Sequence, residues 1–522
     1  MAELQRCIGS AQKRLTNWVN EETGGRYQLS MESLQLDPVK ETLLLTNLLF
    51  EPTQADTGSN SSYRFRFKNL LVKNVSVTAL LESSILDLST IVISGGSLEI
   101  KEGKATSAAL TEIVPPKKTS RRKKVISAIH VDSIQLSQLD IAYINRKKAT
   151  TSLQSVHLDV YNFHSDSLEA GTGNPLPVKG FRLSIENIAW DLANKQYRLS
   201  ADQFILIGSG HLKAIVRNVQ VLPSAGKNLE ALAAQTPVQQ DVYFGRIPEV
   251  LIDSVDYRSF LDDSILRTPL VVLKEPHLSV FNDRSRPPAT ASKIGKNPHQ
   301  LIQQISIGLD IPRLQVENGR IEYSEKNKDG TDVGKLIFGA INGNAGPIRK
   351  GFDTLGSLNM DLDARLMDKI PLHAGFYFPP GKEGRFTVNA SLQPFDLSLI
   401  NPIVEPLTNV AIRSGRCQQL ECTLRGNDHQ AGGAVVFVYE DLKIDLLKDK
   451  KSGETVKRPL LSLLANQLLL RTNNRLTDRH PHQFQVTNQR DPTKSFFNLV
   501  WKTLFEGLKM STGVNNKGKK PA

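Results

Sequence analysis

The sequence predicts a mainly β protein: an elongated, antiparallel sheet that curls into a repeating groove, with a short amphipathic helix at each end. Three observations support this fold class. Apolar and polar residues alternate with a period of two along many segments, short turn motifs separate those segments, and few convincing helices are predicted between the two helical ends. One-sided alternation is typical of antiparallel strands that have one apolar and one hydrated face.

Residues 1–25 are predicted to form the N-terminal amphipathic helix. The pattern ends at Thr23-Gly24-Gly25, residues that favour a helix C-terminus. The residues expected on its apolar face are Leu4, Ile8, Ala11, Leu15, Trp18 and Val19. This face has to be covered either by the protein's own sheet or by a membrane surface.

Residues 26–470 are predicted to form the β body. Tyr63, Phe65 and Phe67 alternate with charged residues, and similar alternation covers residues 358–366 and 386–392. Gly-containing motifs between such segments predict hairpin turns, an Asn-Gly pair being the strongest short signal. The predicted turns are Ser94-Gly95-Gly96, Asn318-Gly319, Asn342-Gly343, Ser414-Gly415 and Gly426-Asn427.

The C-terminal part is predicted as a loop, residues 471–494, followed by an amphipathic helix and basic tail, residues 495–522. Lys517, Lys519 and Lys520 lie in the tail. The stripe consists of Phe496, Phe497, Val500, Trp501, Leu504, Phe505 and Leu508. Such a helix can lie in a membrane interface or cap the open end of a sheet. For the first alternative, we expect Phe497, Trp501, Leu504 and Phe505 to contact the membrane.

A basic run at residues 117–124 provides a second candidate surface. Arg121, Arg122, Lys123 and Lys124 could bind the phosphates of lipid headgroups or of nucleic acid, or form a solvated loop. Nucleic-acid-binding surfaces usually combine basic residues with exposed aromatic residues, and this run has no aromatic residue. The run therefore favours an anionic membrane surface over nucleic acid.

The composition excludes several classes of protein. Of the 522 residues, 39% are hydrophobic, which is too many for a disordered chain, and three cysteines are too few for a disulfide scaffold or a zinc site made of cysteines. Cys417 and Cys422 are five positions apart, so regular alternation would point them to opposite faces of one strand. The excess of 65 Lys and Arg over 53 Asp and Glu gives a net charge of +12.

The sequence contains neither a signal peptide nor a run of about 18 apolar residues that could cross a membrane. No nucleophile elbow, P-loop or dinucleotide-binding motif is present, and the histidines are scattered. We therefore expect a non-enzymatic protein without a cofactor or metal site. A polysaccharide-binding or polysaccharide-degrading β-solenoid and a basic nucleic-acid-binding protein remain as alternatives.

Several segments resemble those of bacterial AsmA-like proteins. Residues 15–27 and 34–37 are similar to the juxtamembrane segment of that family, and residues 384–402, 412–415 and 432–444 are similar to its C-terminal region. The similarity is one of pattern over most of the chain. The family usually has a transmembrane helix just before the segment at residues 4–19, and the given sequence starts after that point.

The resemblance implies a repeating β-groove protein of the wider AsmA and TamB superfamily. Its expected location is the periplasm, associated with the inner membrane, and its expected role is phospholipid transport or outer-membrane assembly and integrity. The implied partners are phospholipids or other acyl-chain lipids, an anionic membrane surface and other envelope proteins, but not nucleic acid. We expect the lipid groove to include Phe65, Phe67, Leu362, Phe386 and Val388.

Overall fold

The computed structural model shows a mainly β protein. It describes residues 12–513 except 14, 18, 22, 54–60, 76–84, 103–127, 145–149, 165–177, 193–195, 210, 224–225, 227, 330, 352–355, 382, 409, 448–469 and 480. Of the described residues, 62% lie in strands and 13% in helices. The prediction of a mainly β fold is therefore confirmed.

The strands are numbered in chain order. They are β1 (Tyr27–Ser30), β2 (Ser33–Asp37), β3 (Thr42–Pro52), β4 (Ser62–Lys73), β5 (Ile85–Lys101), β6 (Ala128–Ile144), β7 (Thr150–His164), β8 (Val178–Asp191), β9 (Tyr197–Ser209), β10 (His211–Pro223), β11 (Asp241–Asp253), β12 (Ile265–Arg267), β13 (Leu270–Lys274), β14 (His277–Asp283), β15 (Gly308–Ile311), β16 (Arg313–Lys326), β17 (Val333–Gly346), β18 (Ile348–Lys350), β19 (Leu358–Leu366), β20 (Ile370–Phe378), β21 (Phe386–Leu392), β22 (Phe395–Asp396), β23 (Val410–Gly426), β24 (Gln430–Leu446) and β25 (Gln483–Gln489).

The helices are short apart from the last one. They are α1 (Leu229–Gln235), α2 (Tyr257–Asp263), α3 (Pro298–Ile302), the 3-10 helix η1 (Leu397–Ile400), α4 (Asn401–Thr408) and α5 (Phe496–Ser511). Residues 12–13, 15–17 and 19–21 are also helical, so the described part of the predicted N-terminal helix is confirmed.

The chain divides into two compact units. Unit 1 contains residues 1–188 and 201–216, and unit 2 contains residues 189–200 and 217–522. The predicted body at residues 26–470 thus contributes to both units. The predicted loop at residues 471–494 contains the strand β25, which pairs with β24.

Among the pairings from β1 to β8 in unit 1, all but one are antiparallel. Strands β1 and β2 pair with successive parts of β3, which is followed by β4 and β5. Strand β6 pairs with β5 in parallel, and β7 and β8 then follow in antiparallel order.

In unit 2, β11 pairs with both β13 and β14, which pair in parallel with β16. An antiparallel series then runs through β16, β17, β19, β20, β21, β23, β24 and β25. Strands β12, β15 and β18 form a separate small sheet, in which β12 and β15 are parallel. The predicted antiparallel character therefore holds for most, but not all, of the pairings.

The long strands contain β-bulges at which the spacing of apolar residues changes from two to three. Examples are the spacings Leu45 to Leu48, Leu136 to Leu139, Leu153 to Val156, Phe338 to Ile341 and Tyr439 to Leu442. The residue before the second apolar position has a left-handed backbone in each case; these residues are Asn47, Gln138, Ser155, Ala340 and Asp441, with φ between 47° and 54°. A bulge adds one residue to a strand and bends it, so the apolar residues stay on one face.

Four of the predicted hairpin turns lie at irregular positions inside strands. Ser94-Gly95-Gly96 lies within β5, Asn318-Gly319 within β16, Asn342-Gly343 within β17 and Ser414-Gly415 within β23. These turn predictions are therefore wrong. A left-handed Gly or Asn suits a bulge as well as a tight turn, which explains the error. Gly426-Asn427 does connect two paired strands, β23 and β24.

The prediction for the two cysteines is also wrong, for the same reason. The pairing of β23 with β24 shifts between Cys417 and Gln419, so Cys417, Leu420 and Cys422 are all buried. Both thiols are free, and burial raises the pKa of Cys417 to about 12 and that of Cys422 to about 11. These are packed core residues with thiols that stay protonated at neutral pH.

Ala340 provides a test of the bulge geometry because it adopts a left-handed backbone without glycine's freedom. A left-handed conformation costs an L-residue roughly 1–2 kcal/mol, whereas the added flexibility of glycine costs roughly 0.5–1 kcal/mol. Ala340→Gly should therefore raise the free energy of unfolding by about 0.5–1 kcal/mol, measured by urea denaturation. The matched control Ala364→Gly, in β19 outside the left-handed region, should lower it; the same sign for both variants would contradict the assignment.

Candidate functional site

The strands of unit 1 share one apolar face. Paired positions on neighbouring strands form continuous apolar rows because their register brings like residues side by side. One row contains Leu29, Phe50, Phe65, Leu98, Ile141 and Leu153, from β1 to β7. A second row contains Leu43, Val72, Ile91, Ile134, Val160 and Phe181, from β3 to β8.

The opposite face of β4 is charged, as predicted from its alternation. Arg66 and Lys68 are exposed, and Arg64 lies 3.4 Å from a Glu51 carboxylate oxygen and 3.6 Å from one of Glu99. Ion pairs at this exposure contribute little stability, about 0–1 kcal/mol each. These charged side chains keep one face of β4 hydrated, while its apolar side chains lie on the opposite face.

An apolar pocket of about 260 Å³ lies on the apolar face of unit 1. Its lining consists only of apolar residues: Leu29, Leu48, Phe50, Phe65, Phe67 and Leu70. The rings of Phe50 and Phe65 are 5.6 Å apart and those of Phe65 and Phe67 are 6.1 Å apart, so aromatic contacts support one wall. The pocket includes both groove residues that were predicted in this unit, Phe65 and Phe67.

The N-terminal helix covers part of this face. Leu15 packs against the buried cluster of Leu34, Leu45 and Leu48, and the Gln12 side-chain amide donates a hydrogen bond of 3.3 Å to the Met31 carbonyl. The sequence allows either the protein's own sheet or a membrane surface to cover the apolar face of this helix. The contacts of Leu15 show that the sheet covers it at this residue. Leu4, Ile8, Ala11 and Trp18 lie outside the described residues.

Unit 2 has an equally continuous apolar face. One row contains Val250, Leu273, Val316, Gly343, Leu362, Ala374, Ala390, Cys422, Val435 and Phe484, from β11 to β25. The predicted groove residue Leu362 lies half-buried in this row. Phe386 and Val388 are instead fully buried in a core cluster with Phe496 and Leu499 of α5. They are covered by that helix rather than lining an open surface.

Helix α5 packs against the sheet through a face of small and apolar residues. Phe496, Leu499, Thr503, Gly507 and Ser511 are buried. The Phe496 ring lies 4.8 Å from that of Phe386, and a Cβ atom on Gly507 would lie 2.5 Å from the Val435 Cβ. The glycine therefore allows helix and strand to approach more closely than any other residue would permit.

The predicted membrane-contacting stripe is divided between two sides of α5. Leu504 packs against buried core clusters, so it lies on the inner side, as the capping alternative predicted. Phe497 and Trp501 are 62% and 49% exposed. The Trp501 and Phe505 rings stack at 5.9 Å, and the Lys509 ammonium lies 5.6 Å from the Phe505 ring centre. Arg121, Arg122, Lys123 and Lys124 lie outside the described residues.

A buried ion pair fixes the chain just before α5. The side chains of Arg490 and Asp428 are 1% and 5% exposed, and their closest charged atoms are 3.1 Å apart. Arg490 also donates a 3.0 Å hydrogen bond to the Asn297 side chain, which donates one of 3.0 Å to the Gly384 carbonyl. Burial lowers the pKa of Arg490, an effect that Asp428 opposes. This network joins the segment before α5 to the three loops that contain Asp428, Asn297 and Gly384.

The described residues contain no cluster of three or more His, Cys, Asp or Glu that could hold a metal ion. Asp361 and Asp363, on the hydrated side of β19, both face His373, whose Nδ1 lies 3.0 Å from Asp363. Within the described ranges, no helix combines the length and the hydrophobicity needed to cross a membrane. Comparison with protein-family models, curated proteins and solved structures finds no match.

Sequence reasoning missed the pocket residues Leu29, Leu48, Phe50 and Leu70. Two signals could have identified them. The segments at residues 43–50 and 63–72 both change apolar spacing from two to three, at Leu45 to Leu48 and Phe67 to Leu70. Matching the two changes places Leu48 beside Phe67 and Phe50 beside Phe65, as the structure shows.

Gly507 tests the close packing of α5. Gly507→Ala should lower the free energy of unfolding by about 1–3 kcal/mol, because its Cβ would overlap Val435. The matched control is Gly375→Ala in β20, where an added Cβ meets no atom within 4 Å. Urea denaturation measures both. If Gly507→Ala is as stable as Gly375→Ala, the helix does not approach the strand as closely as described.

The buried ion pair gives a second stability test. Arg490→Met should lower the free energy of unfolding by about 3–5 kcal/mol, since it leaves the Asp428 carboxylate buried without its cation. Arg64→Met, at the exposed ion pairs of β4, is the control and should change stability by less than about 1 kcal/mol. Equal effects in thermal denaturation would show that the Arg490 pair is solvated.

Proposed function

We propose that this protein is a non-enzymatic lipid-handling protein that binds acyl chains on the apolar face of its sheet. The observation that carries the proposal is the pocket between β1, β3 and β4, whose lining residues are all apolar. A pocket without a polar group offers nothing to fix a sugar or a nucleotide, which need hydrogen-bond partners. A hydrocarbon chain needs none.

The energetics suit transient binding of a chain. Each methylene group transferred from water to an apolar site contributes about 0.8 kcal/mol, so a few methylenes in the pocket give useful affinity. The rows of apolar residues continue beyond the pocket from β1 to β7, as in the row that contains Phe65 and Ile141. A chain could extend along this face without crossing a charged residue. Transfer would then require no catalytic group.

The biological setting is proposed from the sequence resemblance. An AsmA-like protein with a repeating β-groove would act in phospholipid transport or outer-membrane assembly, in the periplasm next to the inner membrane. Its partners would be phospholipids, an anionic membrane surface and other envelope proteins. The pocket supports the lipid part of this proposal only, since any protein that carries acyl chains needs such a site.

Filling the pocket tests acyl-chain binding. Leu29→Trp, at the pocket wall, should weaken binding of a fluorescent acyl-chain phospholipid at least about tenfold, because losing space for two methylenes costs about 1.6 kcal/mol. Gln28→Trp is the matched control: it introduces the same side chain next to Leu29, at an exposed position. It should bind like the parent protein.

Two outcomes would contradict the proposal. Equal affinity of both variants would exclude the pocket as the site. Gently purified protein that carries no lipid in native mass spectrometry, and takes up no fluorescent phospholipid, would exclude acyl-chain binding altogether. Circular dichroism of both variants establishes that they are folded, so that a loss of binding is not a loss of structure.

A further inference from the structure

Helix α5 has a second apolar surface that does not pack on the sheet. We define the outer ridge as Phe497, Trp501 and Phe505, which follow one another at intervals of four residues along the helix. Lys509 continues the same line. Residues four apart lie on one side of a helix, and this line is about 18 Å long at 1.5 Å per residue.

The outer ridge is a fixed feature of the folded unit. The opposite side of α5 is held by the contact of Gly507 with Val435 and by Phe496, which lies between the rings of Phe378 and Phe386. The start of the helix is capped, since the Ser495 side chain accepts a hydrogen bond from the backbone N–H of Asn498. Rotating the helix to bury the ridge would break all of these contacts, so Phe497 and Trp501 remain exposed and Phe505 remains half-buried beside Trp501.

Lysines lie beside the outer ridge and also follow it in the sequence. Lys502 is exposed beside the ridge and interacts electrostatically with the Asp491 carboxylate. Lys509, at the end of the ridge, lies 2.6 Å from Glu506, the only acidic residue of the helix, which compensates its charge. In the sequence, the nine residues that follow Gly513 include Lys517, Lys519 and Lys520 and no acidic residue, so the excess of positive charge comes from this tail. Aromatic rings flanked by lysines suit the boundary between acyl chains and anionic headgroups, because the rings enter the apolar layer and the ammonium groups stay in water.

We propose that the outer ridge docks unit 2 onto the surface of an anionic phospholipid membrane, with Trp501 at the level of the headgroups. The inference rests on the membrane partner named in the proposed function and assigns the residues that would contact it; the acyl-chain site lies on other residues, in unit 1. A second copy of the chain fits less well. Three aromatic side chains supply at most about 450–750 Å², below the roughly 800 Å² per partner of a stable interface, and pairing two ridges would bring their lysines together.

Tryptophan fluorescence of the full chain tests the proposal. The chain has three tryptophans, so Trp18→Phe and Trp190→Phe leave Trp501 as the only emitter. Vesicles of phosphatidylcholine with phosphatidylglycerol should shift the Trp501 emission to shorter wavelength, and brominated acyl chains should quench it. Vesicles of phosphatidylcholine alone should give a smaller effect. Replacing the three tail lysines by glutamine should weaken anionic-vesicle binding by about fivefold per lysine.

A matched pair of variants separates insertion from adsorption. Phe497→Ser on the outer ridge should weaken vesicle binding about tenfold, whereas Phe260→Ser should leave it unchanged, since Phe260 is a similarly exposed phenylalanine in α2. Circular dichroism shows that both are folded. Equal binding of the two variants, lost in high salt, would mean electrostatic adsorption only and would overturn the proposal.

Two further results have defined meanings. A blue shift that appears without vesicles, grows with protein concentration and accompanies a doubled mass in light scattering would assign the outer ridge to self-association and overturn membrane docking. Leu29→Trp should bind vesicles like the parent protein, because the pocket and the ridge are separate sites. Loss of vesicle binding in that variant, with Phe497→Ser unaffected, would place the membrane contact elsewhere and also overturn the proposal.

Discussion

The structure depends on keeping apolar residues on one face of strands that are unusually long. Strands β5, β6, β23 and β24 have 17 residues each, compared with about 5–6 in an ordinary strand. A sheet of such strands bends as it twists, and strict alternation would not follow the bend. A left-handed residue at each bulge inserts one position and restores the alternation. The apolar rows, the pocket and the packing of α5 all require this correction.

Two helices each cover part of an apolar face, and they do so by different means. In unit 1, Leu15 of the N-terminal helix adds a leucine side chain to a cluster that is already apolar. In unit 2, α5 approaches the strand through Thr503, Gly507 and Ser511, and the Arg490–Asp428 pair holds the chain that leads into it. In its described part, the first cover uses side-chain burial and a hydrogen bond from Gln12 to the Met31 carbonyl, whereas the second combines a close backbone approach with a buried polar network.

The sequence reveals the elements of this fold more reliably than it reveals their register. Alternation at Tyr63 to Lys68 correctly assigns an apolar and a charged face, and the C-terminal stripe correctly predicts a helix. Asn318-Gly319 predicts a turn where the structure has a bulge, because a left-handed backbone occurs in both turns and bulges. The choice between them depends on whether the flanking residues pair with each other or with other strands, which is a tertiary property.

The candidate site shows the same limit. Phe65 and Phe67 can be assigned to the apolar face from sequence because the alternation of their own strand shows which face is apolar. Phe386 and Val388 satisfy the same criterion, but α5, more than a hundred residues later, covers them. The helical stripe correctly places Leu504 among the apolar residues of α5. The stripe alone does not show that Leu504 packs on the sheet while Phe497 and Trp501 are exposed. Which side packs inward is set by Gly507, whose role depends on Val435 in another strand.

The lengths of the strands have a consequence for solubility. Sheets aggregate by pairing edge to edge through the unpaired backbone groups of their edge strands, and a long, flat edge strand favours this pairing most. The first strands of unit 1, β1 and β2, have 4 and 5 residues, and β25 of unit 2 has 7, far fewer than the strands they follow or precede. In the described part of the chain, the pairing therefore tapers toward both termini. Short edge strands offer a second copy of the chain few backbone groups to pair with. Strands with an apolar face can therefore form the sheet while edge-to-edge aggregation stays limited.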